Sequence, residues 1–357
     1  MTDKYKNPSL WLSLLPVATL VCLLAIAIYL FQGDALGGAS QIVLLLATAL
    51  CAAIAYFCYG IRWAVIETQI AKNIYGIAPS VLILLLIGTL SGSWMISGVV
   101  PSLIYYGLQI MQTDFFLVAC CLLCSIVSVM TGSSWTTIAT IGIALMGIGE
   151  AQGFEPGWIA GAIISGAYFG DKISPLSDTT NLAAATTGTE LFTHIRYMMY
   201  TTIPAIVLTL LIFTGFSFTS GGSLSSDVSV VETQRMIGEC YRITPWLFVV
   251  PILVIVLIVL KMPSVPVLFI GSLVGGICAV IFQPEMIGSL NGDTTLTSGT
   301  AYKTVLRSMY GTITPDTGNA QIDSLFTSRG MAGMLNTVWL ILSAMIFGGV
   351  MEAGHFL

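Results

Sequence analysis

The chain of 357 residues is 56% hydrophobic and only 8% charged, with a net charge of −5. Runs of about 20 apolar residues, the length that crosses a lipid bilayer, recur along it, so the composition excludes an ordinary water-soluble protein. The few basic residues are scattered and form no stripe, which argues against a nucleic-acid partner.

The apolar runs predict an all-α, polytopic membrane protein with about ten hydrophobic segments. Hydropathy places them at 10–31, 41–60, 79–100, 115–131, 135–149, 157–172, 198–218, 244–261, 264–283 and 333–351. The first segment has no small-residue cleavage site at its end, so we expect a retained helix and not a signal peptide.

Lysine and arginine predict the orientation, because both are enriched in cytoplasmic loops. Four of them lie before the first segment or between the second and the third: Lys4, Lys6, Arg62 and Lys72. The stretches 32–40 and 101–114 contain neither residue type. The N-terminus, residues 1–9, is therefore predicted to be cytoplasmic, and the serine-rich stretch 219–243 to be an external loop.

The cysteines predict neither a structural disulfide nor a metal cluster. Most of them fall within the hydrophobic segments: Cys22, Cys51, Cys58, Cys120, Cys121 and Cys124. Cys121 and Cys124 are three residues apart, but no histidine or acid accompanies them, which favours core packing over redox or metal chemistry. No nucleophile elbow or phosphate-binding loop is present, so we expect no cofactor and no enzymatic activity.

The stretch "GAIISGAYFGDKISPLSDTTNLAAA", residues 161–185, begins as an apolar helix and then places Asp171, Lys172 and Asp178 around Pro175. Proline removes a backbone donor and pushes the preceding residue out of the helical region, so the helix is predicted to break here. A break inside a membrane is tolerated only where the chain is buried in protein or lines a polar cavity.

Two rows of small residues precede this break. Gly157, Gly161 and Ser165 recur at every fourth position, and Gly166 and Gly170 form a second row. Small side chains let the backbones of neighbouring transmembrane helices approach closely, so both rows predict packing faces.

The break collects hard oxygen donors. Besides backbone carbonyls it offers these side chains: Asp171, Ser174, Ser177, Asp178, Thr179, Thr180 and Asn181. Such ligands suit a small cation, and discontinuous helices are where transporters bind coupling ions. Because burial raises the pKa of a carboxyl and a bound cation lowers it, one site can hold either a proton or a cation. Lys172 either pairs with one aspartate or extends to the cytoplasmic surface. An ordinary loop with solvated charges is the alternative.

A second polar island interrupts the apolar stretch "SIVSVMTGSSWTTIATIGIALMGIG". It consists of Thr131, Gly132, Ser133, Ser134, Thr136 and Thr137 and adds no charge. The pattern is typical of a re-entrant hairpin or a broken helix, although serine and threonine also stabilise ordinary transmembrane packing.

Both islands resemble the NhaC-type sodium/proton antiporter family, and "SRGMAGMLNTVWLILSAMIFGGVMEAGHFL" resembles a later segment of the same family. The resemblance implies a secondary antiporter of two inverted repeats that exchanges sodium for protons across the bacterial plasma (inner) membrane by alternating access. It implies that Asp171, Asp178, Thr179, Thr180 and Asn181 lie in a central unwound helix. It also implies that 131–137 is the tip of a facing hairpin. Sodium ion, proton and lipid bilayer are then the partners, with no metal beyond the transported sodium, and a homodimer is allowed.

The resemblance assigns 10–218 to a first transmembrane repeat and 244–357 to the start of a second. No second broken helix is evident between 198 and 357, where Glu352 is the only acid at the edge of a segment. We therefore expect a C-terminally truncated chain with an incomplete second repeat.

Two further functions stay open. Sodium- and proton-coupled exchange of small organic acids, such as malate against lactate, or of amino acids, would favour a fixed cation, and Lys172 is the only one in the first broken region. An intramembrane aspartyl protease would use two aspartates as a dyad. It is disfavoured because Tyr168 replaces the glycine of the Gly-x-Gly-Asp pattern and both acids come from one segment.

Overall fold

The regular elements of the structure, a computed structural model, are helices. It describes residues 9–110, 115–132, 134–174, 177, 179–180, 183–184, 189–220, 227–260, 262–291, 297–315, 323 and 326–356. Within these ranges the β-structure is limited to one isolated antiparallel bridge, between Ile313 and Ser328. The predicted class, an all-α polytopic membrane protein, is confirmed.

The α-helices of the described chain are numbered in order. They are α1 (Leu10–Phe31), α2 (Ala39–Ala53), α3 (Trp63–Ile96), α4 (Val99–Ile110), α5 (Phe116–Thr131), α6 (Ser134–Thr137), α7 (Ile143–Ala151), α8 (Pro156–Ile173), α9 (Leu191–Ser220), α10 (Asp227–Cys240), α11 (Val249–Val259), α12 (Ser264–Phe282), α13 (Pro284–Asn291), α14 (Ser298–Tyr310) and α15 (Leu335–Ala353). Short 3₁₀ segments lie at Gln32–Gly37, Pro245–Phe248 and Met331–Met334, and π-helical turns at Ile54–Cys58 and Ile138–Gly142.

Six helices of the described residues are long and apolar enough to cross a bilayer. They are Leu10–Phe31, Ala39–Cys58, Trp63–Ile96, Leu191–Ser217, Val265–Phe282 and Met331–Ala353. The pair Gln234–Cys240 and Pro245–Ile258, bent by 92°, would make a seventh. The predicted count of about ten is therefore not confirmed. The 16 residues of α5 extend about 24 Å, which is less than the roughly 30 Å of a hydrocarbon core.

Four helices lie where hydropathy indicated connecting segments: α4, α10, α13 and α14. α10 falls within the stretch 219–243, whose external location stays a prediction. α14 is capped at its start, where the Thr297 Oγ1 accepts a hydrogen bond from the Thr300 backbone N–H at 3.2 Å. A polar helix of this kind is stabilised by its cap and by packing, and hydropathy does not detect it.

One compact unit comprises Met1–Leu85 and Gly333–Leu357. Its buried core is formed by Cys51, Ile54, Ala55, Ile61, Ile66, Val350, Met351, Ala353 and Phe356. Gly349 lets α15 approach α3, since a Cβ there would lie 2.8 Å from the Cα of Ile70. The Asn73 amide, oriented by its partners, donates to Glu352 Oε2 at 3.2 Å and accepts from the Gly349 N–H at 3.1 Å. Glu352 therefore contacts a neighbouring helix within this unit.

The other compact unit comprises Leu86–Ala332, and α5 against α8 is its most extensive helix pair. The Trp94 indole of α3 donates to the Gly271 carbonyl of α12 at 3.2 Å. The Gln283 amide forms two 3.0 Å hydrogen bonds with the backbone of Arg242. This unit contains both polar islands. The inverted repeat and the boundary at 218 stay predictions.

Candidate ion-binding site

The site is built on the close packing of α5 against α8. A Cβ at Gly166 would collide with the carbonyl oxygen of Cys121, and one at Gly170 would lie 2.5 Å from the Ser125 carbonyl oxygen. A Cβ at Gly157 or Gly161 would meet no described atom within 4 Å. The predicted close packing is thus confirmed for Gly166 and Gly170 and wrong for Gly157 and Gly161, because α8 turns the second row toward α5.

The predicted break at the end of α8 is confirmed. The helix ends at Ile173, and Ser174 has extended dihedrals, φ −76° and ψ 126°, as expected for a residue before proline. The Ser174 hydroxyl is fully buried and donates to the Val129 carbonyl of α5 at 2.7 Å. The Ser128 hydroxyl of α5 donates to the Ala167 carbonyl of α8 at 2.5 Å. Two hydroxyls therefore hold the broken end of α8 against α5.

The second polar island also interrupts a helix, as predicted. α5 ends at Thr131, and Gly132 follows in the left-handed region at φ 67°, where its N–H donates to the Ser128 carbonyl at 2.8 Å. Glycine adopts this conformation without the steric cost that a Cβ brings. The chain resumes as α6 at Ser134 and continues through the π-helical turn Ile138–Gly142 into α7. Whether this segment is re-entrant in a bilayer stays a prediction.

One hydrogen bond joins the two islands. The buried Ser134 hydroxyl, on the first residue of α6, donates to Asp171 Oδ2 at 2.9 Å. Asp171 lies in the last turn of α8, where the helix carries a partial negative charge. The carboxylate and the helix end therefore place negative potential together at the break, which favours a cation.

The residues after the break fold back over the end of α8. The Thr180 hydroxyl donates to the carbonyls of Asp171 and Lys172 at 3.2 and 3.3 Å. The Thr180 N–H donates to Ser177 Oγ at 3.3 Å, and this oxygen lies 2.9 Å from Thr179 Oγ1. Ser177 and Thr180 are buried, whereas Thr179 is exposed. Buried hydroxyls are stable here because each has a polar partner.

Part of the predicted site lies outside the described residues. These residues are Ser133, Asp178 and Asn181, together with the side chains of Thr131 and Thr136. Their roles in ion binding stay predictions, as does a carboxylate pair. Lys172 is exposed and, with Tyr168 and Thr202, lines a groove of about 180 Å³ between α8 and α9. Its ammonium forms no ion pair with a described residue.

The donors that the structure brings together are one carboxylate, hydroxyl oxygens and backbone carbonyls. Such hard ligands suit a small cation, and the same carboxylate can hold a proton instead.

All eight cysteines are free thiols. Among the described residues no group of three or more histidines, cysteines or acids could hold a metal ion.

An extended pair of segments, 311–315 and 326–330, is a non-helical element that hydropathy does not predict. The Ile313 N–H donates to the Ser328 carbonyl at 2.8 Å, and the Ser328 N–H donates back at 3.0 Å. α14 ends at Tyr310, directly before this element.

The same element packs closely on α3. A Cβ at Gly88 would lie 2.5 Å from the Gly330 carbonyl oxygen, and Gly330 itself has φ 55°. The sequence does contain a signal for this extended pair. Glycine and proline in "GTITP" and glycine in "SRG", which follow an amphipathic helix, indicate a turn or an irregular segment. The extended pair supplies Thr327 to a cavity beside α7 and α8.

Residues 166–357 match the model of the Na⁺/H⁺ antiporter family. Over 294 residues the chain is 40% identical to the malate-2H⁺/Na⁺-lactate antiporter of Bacillus subtilis, covering 82% of this chain and 59% of that protein. Over 293 residues it is 36% identical to the Na⁺/H⁺ antiporter NhaC of Alkalihalophilus pseudofirmus, covering 82% and 60%.

A third relative, the arginine/ornithine antiporter ArcD of Halobacterium salinarum, is 30% identical over 353 residues, covering 98% of this chain and 69% of that protein. The chain spans about three fifths of the length of the first two relatives. No solved structure matches it significantly.

Proposed function

The chain belongs to the Na⁺/H⁺ antiporter family, and we propose that it exchanges sodium ions for protons by alternating access. The observation that carries the proposal is the hydrogen bond from Ser134 to Asp171, which joins two helix breaks at one carboxylate. We propose further that the membrane is the bacterial plasma membrane and that the N-terminus is cytoplasmic. A secondary transporter of this kind performs no catalysis.

The exchange step follows from the chemistry of the carboxyl group of Asp171. When its proton leaves, the carboxylate attracts a sodium ion, and when the proton returns, the sodium ion is released. The Ser134 hydroxyl donates to the carboxylate and can instead accept from the protonated carboxyl, so it partners both forms. The carbonyls at the end of α8 and the hydroxyls of Ser177 and Thr180 complete the set of oxygen donors.

Proteoliposomes that contain a pH-sensitive dye test this function directly. A sodium pulse should change the internal pH in the unmodified chain, and Asp171→Asn should abolish the change, because an amide binds neither the proton nor the cation. Asp34→Asn, which changes an exposed acid in the 3₁₀ segment Gln32–Gly37, is the matched control and should leave exchange intact. Exchange that persists in Asp171→Asn removes this residue from the mechanism.

A second candidate function is the exchange of small organic acids with sodium and protons. It is supported by the similarity to the malate-2H⁺/Na⁺-lactate antiporter and by the groove that Lys172 shares with Thr202. Under this function the dye responds only when malate or lactate accompanies sodium, and Lys172→Gln abolishes that response. A response to sodium alone contradicts it.

A further inference from the structure

A cavity of about 320 Å³ lies within the unit Leu86–Ala332, separate from the Ser134–Asp171 contact. It is lined by α3, α4, α7, α8, the π-helical turn and Thr327 of the extended pair. At about 30 Å³ for each water molecule, its volume accommodates about ten of them. Most of its lining is apolar, and the polar side chains are those of Ser91, Thr327 and Glu150.

The cavity extends along the two helices that carry the candidate site. Ile138 is four residues after Ser134, a rise of about 6 Å along the helix, and Ile164 is seven residues before Asp171, about 10 Å. Glu150 also lines the cavity and is sixteen residues after Ser134, about 24 Å away along the same helical run. One end of the cavity is therefore near the site, and the other is at Glu150.

Glu150 is the single charged residue among the described residues that line the cavity. Its side chain is exposed and has no hydrogen bond or ion pair with any described residue. The nearest charged residues along the chain from the lining are Glu155, exposed before α8, and Arg329, exposed beside Thr327. A single charge in a cleft with low-dielectric walls concentrates counter-ions.

We propose that this cavity is a vestibule for monovalent cations, in which Glu150 binds the cation or a proton on the way to the Ser134–Asp171 contact. The cation site depends only on the cavity and its carboxylate. Its place on the transport path depends on the proposed function. Ser91 and Thr327 add hydroxyl oxygens as further hard ligands.

The first experiment measures the cation site without transport. Ser91→Cys places a thiol in the cavity, and the detergent-solubilised chain is treated with cationic aminoethyl or anionic sulfonatoethyl methanethiosulfonate. Labelling at position 91 is quantified by peptide mass spectrometry and normalised to the rates with free cysteine. We expect the cationic reagent to react about tenfold faster, with sodium slowing it more than an equal concentration of a large organic cation.

Three variants locate the charge that is responsible. Glu150→Gln should reduce the ratio of the two rates to about one, Glu150→Asp should retain it, and the exposed control Glu155→Gln should leave it unchanged. Although the Glu150 side chain is exposed to solvent, the apolar lining removes part of its hydration and raises its pKa, so on acidification the preference for the cationic reagent should disappear at a higher pH than for a fully hydrated carboxylate. A ratio that is insensitive to Glu150→Gln, or equally sensitive to Glu155→Gln, overturns the proposal.

The second experiment tests the place of the vestibule on the path. In proteoliposomes Glu150→Gln should raise the sodium concentration for half-maximal exchange about tenfold, while Glu155→Gln should not. Unchanged exchange in Glu150→Gln, together with the expected labelling, rejects the transport role and retains the cation site. Absence of exchange in the unmodified chain contradicts the proposed function and leaves the labelling result valid.

Discussion

At the scale of single residues, the most important contact of the candidate site is the hydrogen bond from the Ser134 hydroxyl to the Asp171 carboxylate. Ser134 and Asp171 are 37 residues apart in the chain, yet their side chains form a 2.9 Å hydrogen bond. A hydrogen bond to a charged group contributes about 1.5–3 kcal/mol, enough to fix the position of the Asp171 carboxylate at the end of α8. The hydroxyl therefore positions the group to which we assign sodium and proton binding.

Ser134→Ala should lower sodium-dependent exchange at subsaturating sodium about tenfold, because the carboxylate loses its donor and its fixed position. The measurement is the initial rate of the pH change in proteoliposomes. Ser128→Ala is the control, since its hydroxyl donates to the Ala167 carbonyl and not to the carboxylate. A rate in Ser134→Ala that matches this control would show that the contact is incidental.

At the scale of secondary-structure elements, the site depends on how closely α5 and α8 approach each other. Gly166 and Gly170 face the backbone of α5, and the hydroxyls of Ser128 and Ser174 bond across the same interface. α5 ends at Thr131 and α8 at Ile173, and these two ends lie near each other, so the chain leaves both helices at one place. The polar side chains of the two islands meet there because the packing of α5 against α8 places the two helix breaks side by side.

Gly170→Ala should destabilise the protein, because the new Cβ would lie 2.5 Å from both the Ser125 oxygen and the Ser128 Cβ. Overpacking of this kind costs about 1–3 kcal/mol, which for a chain of this length corresponds to a fall in the melting temperature of about 1–4 °C. Thermal unfolding in detergent, followed by size-exclusion fluorescence, measures the effect.

Gly161→Ala on the same helix is the matched control. Its Cβ meets no described atom within 4 Å, and alanine is the better helix former by about 1 kcal/mol, so its melting temperature should be unchanged or higher. Equal melting temperatures for the two variants would contradict the assigned packing face.

At the scale of the whole molecule, the distribution of basic residues predicts an orientation that can be measured in cells. Single cysteines introduced by Asp34→Cys and Glu67→Cys, both at exposed positions, are treated with a membrane-impermeant maleimide. A cytoplasmic N-terminus places position 34 outside and position 67 inside. Position 34 should react in intact cells and position 67 only after permeabilisation, and the reverse pattern would invert the proposed topology.

Several features of this molecule could be predicted from the sequence because they follow from local composition. The apolar runs determine the membrane class, since every backbone polar group in a bilayer must be satisfied within a helix. The break at Ser174 follows from Pro175, whose ring disfavours the helical conformation at the residue before it. The polar residues of 131–137 likewise predict an interruption, because they include a glycine within an otherwise apolar stretch.

The tertiary structure decided what these local signals contact. Gly166 and Gly170, and not Gly157 and Gly161, pack closely against a neighbouring helix. The Ser134 hydroxyl contacts the Asp171 carboxylate. The extended pair at 311–315 and 326–330 packs against α3. The cavity with Glu150 also results from packing between segments that are far apart in the chain. The physical reason is that hydropathy and proline act over a few residues, whereas contacts between helices depend on which faces meet, and that is determined by the packing of the whole unit.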